Sequence, residues 1–492
     1  MMKRAVSALL SAALMLSVLT GCGKSGSVSK KNIPAEETAE SKKIALSDSG
    51  ITVDGAAISD DETAAVYAAQ DIVYYEEGQG VAYGAGTDAD AHSQEEADAH
   101  TVVHITQPGT YTLSGTLSAG QIAVDLGDGA EEDPEAVVTI VLDGVDITCT
   151  VASAIIFYRV YECGSADMET ATQTVDTSAA GANVVIADGT ENRVTGSHVA
   201  KIYKPESVTL NADGTAVEEA KKLHKYDGAL YSKMSMNVSG GEAGTGTLEI
   251  VADNEGLDSE LHLTINSGNI HILAGNDGIN TNEDGVSVTT INGGTLRIEV
   301  TGETGEGDGI DSNGWLVING GMVIEAACSD SADSGLDSDN GIYINGGIVI
   351  ASGNMYDAVD GGDQTYAVFQ FAQKQSGGQT YTLKNAAGET ILEMTPENAF
   401  QYLVVSAPGL AEGEYTLWCG DTQLGASTGS VGGPSGGMGR PDGQPPEGAP
   451  GQKPEGADDG QQPPEPPADG QRPEGGPNGA MDGGNSADAA ER

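Results

Sequence analysis

Between about residues 229 and 362 the apolar positions come in short alternating runs, and the runs themselves recur. Two residues past each Asn-Gly-Gly or Asn-Ser-Gly corner stand Ile270, Leu296, Val323 and Val349, an unbroken apolar column. Two positions further stand Ile272, Ile298, Glu325 and Ala351. Glu325 interrupts that column, and a local register shift or an outward swing is expected there. Alternate residues of a strand face opposite sides, so the intervening positions form an outer surface. Asn269 and His271, then Thr295 and Arg297, make it polar in the early coils; Met322 and Ile324, then Ile348 and Ile350, make it apolar in the later ones. An exposed apolar strip calls for a cover, and the strand-like runs between Tyr366 and Cys419 are expected to supply it.

The corners themselves stand at Ile265–Gly268, Ile291–Gly294, Ile318–Gly321 and Ile344–Gly347, with starts 26, 27 and 26 residues apart. A period in the twenties means stacked units, since one unit cannot bury its own inner face. Each unit reads strand, Asn-Gly-Gly turn, strand, acidic glycine turn, strand. No helical runs of 10–15 residues separate the strands, which excludes alternating β/α architecture. The prediction is an all-β parallel β-helix. Asn266, Asn292, Asn319 and Asn345 fall in one column, where their amides can bond along the axis. Upstream, short strands begin at Thr101. Asp60–Tyr75 has a mild helical pattern, Gly78–Ala99 reads as a loop, and Lys201–Tyr226 reads as a lysine-bearing excursion with a short helix at Val217–His224.

Composition adjusts this picture. The chain has 492 residues, 70 of them glycine, and only 20 Phe or Tyr, which suits a turn-rich stack better than a compact aromatic core. Its formal charge of −52 excludes nucleic acid as a partner, because phosphate demands a basic surface. Lys3 and Arg4 precede an apolar run from Ala5 to Leu19 that ends in Leu19-Thr20-Gly21-Cys22. The run is shorter than the roughly 20 residues of a membrane span and resembles a bacterial lipoprotein signal. Lipid on Cys22, an extracytoplasmic location and a membrane-anchored protein at the cell surface are the expectation. Cys149 and Cys163 have a spacing that allows a bridge in an oxidising compartment, and free thiols are equally compatible. The expected organisation is a signal peptide at 1–22, a flexible tether at 23–48, and the β-helix with its N-terminal cap and excursions at 49–372. A C-terminal β segment follows at 373–425, then a disordered acidic Pro/Gly tail at 426–492.

The chemistry lies in the acidic turns. Five align by their central residue: Glu255–Ser259, Asp277–Thr281, Asp308–Ser312, Ser334–Ser338 and Asp357–Gly361. With the apolar residue of each pointing inward, the flanking ones are directed toward solvent or along the ridge. Stacking then lines up Asp258, Asn280, Asp311, Asp337 and Asp360, with Asp277, Asp308, Asp333 and Asp357 beside them. Carboxylates about 5 Å apart repel unless something neutralises them. From Met234 to Gln373 there are 22 acids and one base, Arg297. A hard cation is the natural partner, and Ca2+ accepts carboxylate, carbonyl and amide oxygens in loose geometry. A merely solvated acidic ridge is the plainer alternative.

The segment Ala229–Lys233, the phrase Gly246-Thr247-Leu248-Glu249-Ile250, the repeated Asp-Gly-Ile and Ile-Asn-Gly-Gly motifs and Asp188–Asn192 together resemble the bacterial carbohydrate-binding domain-containing lipoproteins. The resemblance covers about residues 98–420. It implies a right-handed parallel β-helix like that of pectate lyases, calcium ligands where Asp or Asn is kept, and polysaccharide as the partner. Glu255 and Ser334 depart from the family's leading Asp, which puts the sites at those coils in doubt. Trp315, Tyr343 and Tyr356 are the aromatic candidates for stacking on sugar rings. The function expected is non-catalytic, calcium-supported binding of polysaccharide, plant cell-wall-type or acidic glycans, by a monomer at the bacterial cell surface. A calcium-stabilised surface spacer is the alternative, and a lyase using Arg297 a more distant one.

Overall fold

The computed structural model describes residues 41–84, 91–223 and 225–432. The signal peptide with Cys22, most of the tether and nearly all of the tail lie outside the described residues. What is described is a parallel β-helix with three strands per coil. One face stacks Thr101–Ile105, Gly120–Asp125, Ile155–Arg159, Gly228–Ser232, Glu255–Ser259, Ile279–Thr281 and Ile310–Ser312 in parallel register. A second stacks Ala182–Ile186, Met236–Gly240, His262–Ile265, Val288–Ile291, Trp315–Ile318 and Gly341–Ile344. The third runs from Glu191–Gly196 through Thr247–Ala252, Asn269–Ala274, Thr295–Val300 and Met322–Ala326 to Ile348–Gly353.

The core is the inward column of each face, with Leu257, Ile279, Ile310, Ile272, Ile298 and Val323 almost wholly buried. The Asn-Gly-Gly corners join the second and third faces. There Asn292 donates to Asn266 Oδ1 at 3.1 Å, Asn319 to Asn292 Oδ1 at 3.0 Å and Asn345 to Asn319 Oδ1 at 2.8 Å, the expected ladder. The last glycine of each corner has positive φ, +120°, +90°, +88° and +89° at Gly268, Gly294, Gly321 and Gly347, a conformation that disfavours any side chain.

The apolar strip of the late coils is covered as expected. Phe400–Ser406 pairs antiparallel with Ile348–Gly353, and Tyr366–Gln375 pairs with Phe400–Ser406. Ile324, Ile348 and Ile350 pack into a second core with Phe369, Phe371, Phe400 and Leu417. This cover begins at Tyr366 and its last strand, Thr422–Gly429, runs beyond the boundary expected at residue 425.

Four local expectations change. Ser41–Leu46, assigned to the tether, is a strand parallel to Gly109–Leu117, with Ile44 and Leu46 buried. Its apolar alternation spans only three residues, too few to stand out between lysines. Val66–Ala69, within the helical-looking segment, is a strand antiparallel to Thr101–Ile105. Val217–Glu219 pairs with Thr209–Leu210 as a hairpin, not a helix. In both cases strand pairing outweighs a weak local propensity. Within the segment read as a loop, Gln94–Asp98 is a five-residue helix, capped by Ser93. Cys149, Cys163, Cys328 and Cys419 are free thiols.

Glu325 keeps register between Ile298 and Ala351 and points inward. Neither the shift nor the outward swing occurs. It is 1% exposed, its two carboxylate oxygens have no partner, and burial pushes its carboxyl well above the usual range.

Candidate functional site

The acidic turns join the third face to the first. Their central glycines are demanded by close approach. A Cβ at Gly256 would lie 2.3 Å from Ile272 Cγ2 and 2.6 Å from Gly278 O. One at Gly278 would lie 2.2 Å from Ile298 Cγ2 and 2.6 Å from Gly309 O. Each turn therefore presses its backbone against the next, and the apolar residue that follows, Leu257, Ile279 or Ile310, fills the core.

This packing fixes two rows of polar side chains. Asp258, Asn280 and Asp311 occupy one register column, continued upward by Tyr231. Leu336 bridges to Ile310, so Asp337 follows at the next position. The leading residues form the second row: the Asp308 N–H donates to Asp277 Oδ1 at 2.7 Å, and the Ser334 N–H to Asp308 Oδ1 at 2.6 Å. Asp333 is one residue out of this row and accepts from the Gly307 N–H at 2.7 Å. Asp357 lies beyond it, accepting from the Ser338 N–H at 3.2 Å. Asp360 is not in the column. Its strand, Val359–Gly361, pairs with Gly341–Ile344 on the second face, and its Oδ2 accepts from the Ile342 N–H at 3.1 Å. Ala358 replaces the glycine of the earlier turns.

Of the two orientations expected, the row runs along the ridge and is buried, not turned to solvent. Asp258 is 0% exposed, and Glu255, Asp277, Asn280, Asp308 and Asp311 are also buried. The end of the lysine-bearing excursion lies across this face. Tyr226 packs edge-on against Tyr158 and Tyr231, and Lys225 Nζ stands 3.7 Å from Glu260. The Asp227 carbonyl accepts from the Glu255 N–H and from the Asn254 amide. Glu260 and Asp227 thus join the cluster, and sequence reasoning missed both. Glu260 stands two residues past Asp258, a pattern that signals it; Asp227 arrives through the path of a loop and leaves no such signal.

Glu255, which breaks the leading-Asp pattern, sits at the centre. Asn280 Nδ2 donates to Glu255 Oε1 at 3.0 Å, and Asn282 Nδ2 to Asp258 Oδ1 at 2.7 Å. The remaining oxygens, Glu255 Oε2, Asp258 Oδ2 and Asn280 Oδ1, are buried and receive no amide or hydroxyl donor; the two carboxyls reach each other, a bond that requires a proton on one of them. Burial first, then the charge of Asp227, raises the Glu255 carboxyl to about 7. Burial and then Glu255, Glu260 and Asp227 hold Asp258 well above the carboxylate range. Burial followed by Asp277 and Asp337 does the same to Asp308. Glu255, Asp258 and Asn280, on adjacent coils, offer oxygens of the hard kind that calcium takes. Among the described residues, no three His, Cys, Asp or Glu side chains gather into a ready metal cage. The set here depends on an amide oxygen.

The aromatic candidates are not brought together. Trp315 and Tyr343 are half-buried on the second face, and the Tyr343 ring covers Gly361. Tyr356 stacks on Tyr402 of the C-terminal cover, with centroids 6.2 Å apart, and its hydroxyl accepts from the Val359 N–H. Arg297 lies on the third face, where its Nη1 donates to Glu397 Oε1 at 2.9 Å.

A model of the carbohydrate-binding domain-containing protein family matches residues 99–367. A carbohydrate-binding domain-containing protein of Acetivibrio thermocellus is 31% identical over 173 residues, 35% of this chain and 45% of the relative. The chain thus matches less than half the length of that relative. A solved structure described as the polysaccharide lyase-like protein from C. thermocellum, a gadolinium derivative, is 21% identical. It covers 63% of this chain and 93% of that one, with a TM-score of 0.35.

Proposed function

Because the chain belongs to the carbohydrate-binding domain-containing protein family, we propose that it binds polysaccharide without transforming it, on a β-helix whose acidic face holds calcium. The observation that carries the calcium reading is the trio of buried oxygens on Glu255, Asp258 and Asn280 that receive no amide or hydroxyl donor. Leaving such groups bare costs about 1–3 kcal/mol each, and more when they are charged. A bound divalent cation supplies the positive charge that lets these carboxylates ionise in a dry site. Glu255, Asp258 and Asn280 hold it; Asp277, Asp308, Asp311 and Asp337 extend the field along the axis, and Asp333 and Asp357 shape the turns around it.

The pairing of the nearby bases supports binding without chemistry. β-Elimination from a uronate needs a base and a positive group beside it. Arg297, the one Lys or Arg between Met234 and Gln373, lies on the third face and is tied to Glu397, while Lys225, which the excursion brings to the acidic face, is paired with Glu260 at 3.7 Å. The N-terminal pattern ending at Cys22 adds lipid anchoring to a membrane outside the cytosol, so the β-helix meets glycans at the cell surface.

The test is pull-down of soluble and insoluble polysaccharides by the full chain, with calcium and with chelator, alongside metal analysis of the purified protein. The expected result is bound calcium, retention of at least one polysaccharide, and no ultraviolet signal from unsaturated products. A protein that retains no polysaccharide overturns the binding reading, and one that neither contains nor takes up calcium overturns the metal reading.

A further inference from the structure

At the opposite end of the acidic face the same outward column changes character. Read along the register it runs Tyr67, His104, Ala123, Ile156, Tyr231, Asp258. The tyrosines at 226 and 231 close over the middle, while the Tyr67 end opens into a groove of about 430 Å³ lined by Tyr67, Asp71, His104, Asp125, Gly127 and Arg159. Tyr67 and His104 are a direct cross-strand pair, stacked with centroids 4.4 Å apart and planes 10° from parallel. His104 Nε2 is fixed on Asp71 Oδ1 at 2.9 Å. The Arg159 guanidinium is held bidentately by Asp125, at 2.6 and 2.7 Å, and also reaches Asp128.

We propose that this groove is a subsite for one pyranose unit of an uncharged polysaccharide. The proposal rests on the carbohydrate-binding reading and says where and what kind of sugar. A rigid aromatic pair offers a flat apolar wall for the C–H face of a sugar ring. Beside it lie carboxylates that accept sugar hydroxyls and a guanidinium whose other N–H groups donate to ring or hydroxyl oxygens. The ion pairs hold these groups in place before any ligand arrives, which lowers the ordering cost of binding. Asp125, Asp128 and Glu131 bear on Arg159, and Asp71, Glu62 and Asp125 bear on Tyr67. The guanidinium charge is already spent on carboxylates, so the groove repels a uronate and takes a neutral ring. His104 is four register steps from Asp258, roughly 19 Å at strand spacing, so this subsite does not share the calcium ligands.

The experiment is calorimetric titration of the calcium-loaded full chain with cellohexaose, xylohexaose and oligogalacturonate. The wild type is expected to bind a neutral probe. Tyr67→Ala weakens that binding at least tenfold, and Tyr67→Phe, which keeps the ring, stays within about twofold. Because Tyr67→Ala removes a half-buried side chain, Asp71→Ala, at a half-exposed position, provides the second variant and also weakens neutral binding. Wild-type affinity in both Tyr67→Ala and Asp71→Ala overturns the subsite while leaving polysaccharide binding standing. A wild type that binds only oligogalacturonate overturns it as well. A wild type that binds no probe and retains no polysaccharide overturns the underlying reading.

Discussion

Asn280 donates its side-chain amide to Glu255 Oε1 at 3.0 Å across one coil of the β-helix. That bond fixes both side chains and leaves Asn280 Oδ1 and Glu255 Oε2 buried with no amide or hydroxyl donor, as is Asp258 Oδ2. A residue that departs from the repeat pattern thus supplies a carboxyl beside Asp258 and Asn280.

Calcium is expected to stabilise the protein by mass action, about 2.7 kcal/mol at a free concentration one hundred times its dissociation constant. Asp258→Asn removes a buried carboxyl that must take up a proton on folding when no metal is bound, so it raises the melting temperature in chelator but loses most of the increment that calcium gives. Thermal unfolding of both proteins with and without calcium checks this. An unchanged calcium increment in Asp258→Asn would remove Asp258 from the donor set.

In chelator, stability depends on pH through Glu255. Its folded carboxyl is raised to about 7 from an ordinary 4.5, so over that window the folded chain binds more protons than the unfolded one. The contribution is fully present below about pH 4.5 and is lost as pH rises through 7. Glu255→Gln should flatten this part of the profile, as measured by urea unfolding at a series of pH values.

The Glu325 carboxyl has no hydrogen-bond partner, so nothing offsets its burial. Glu325→Leu, similar in volume, is expected to stabilise the protein by about 1–3 kcal/mol at neutral pH. The advantage shrinks as pH falls toward 4.5, because the folded-state carboxyl is raised and its protonated form is the one the core accepts. Chemical unfolding of the variant beside the wild type measures both effects.

The ladder makes a graded prediction. Asn319 both donates to Asn292 and accepts from Asn345, whereas Asn345 only donates to Asn319. Asn319→Ala should therefore cost more than Asn345→Ala, by about 1 kcal/mol, the net worth of one such bond. Gly278→Ala should cost more than either, since its Cβ would meet Ile298 Cγ2 at 2.2 Å. Denaturant midpoints rank the three.

What was legible in the sequence is what depends on the coil repeating itself. A period of 26 or 27 residues, with apolar residues on alternate positions, admits parallel stacking and little else, so the coil, the asparagine ladder and the column Asp258–Asn280–Asp311 follow from spacing. The apolar run of Ile324, Ile348 and Ile350 likewise announced its cover. Glu325 was misread because a buried carboxyl conflicts with the pattern around it, and register proved stiffer than the cost of one neutral acid.

The sequence by itself determined the stack, because every coil repeats the same local bargain between glycine turns and alternating strands. Only the tertiary structure decided which acids are dry, for the excursion that ends at Asp227 lies across Asp258 and Glu255 by a path that no period encodes. It also placed Asp360 on another face, where Val359–Gly361 pairs with Gly341–Ile344. Burial is a property of what lies across a surface, and that is set by contacts between segments far apart in the chain.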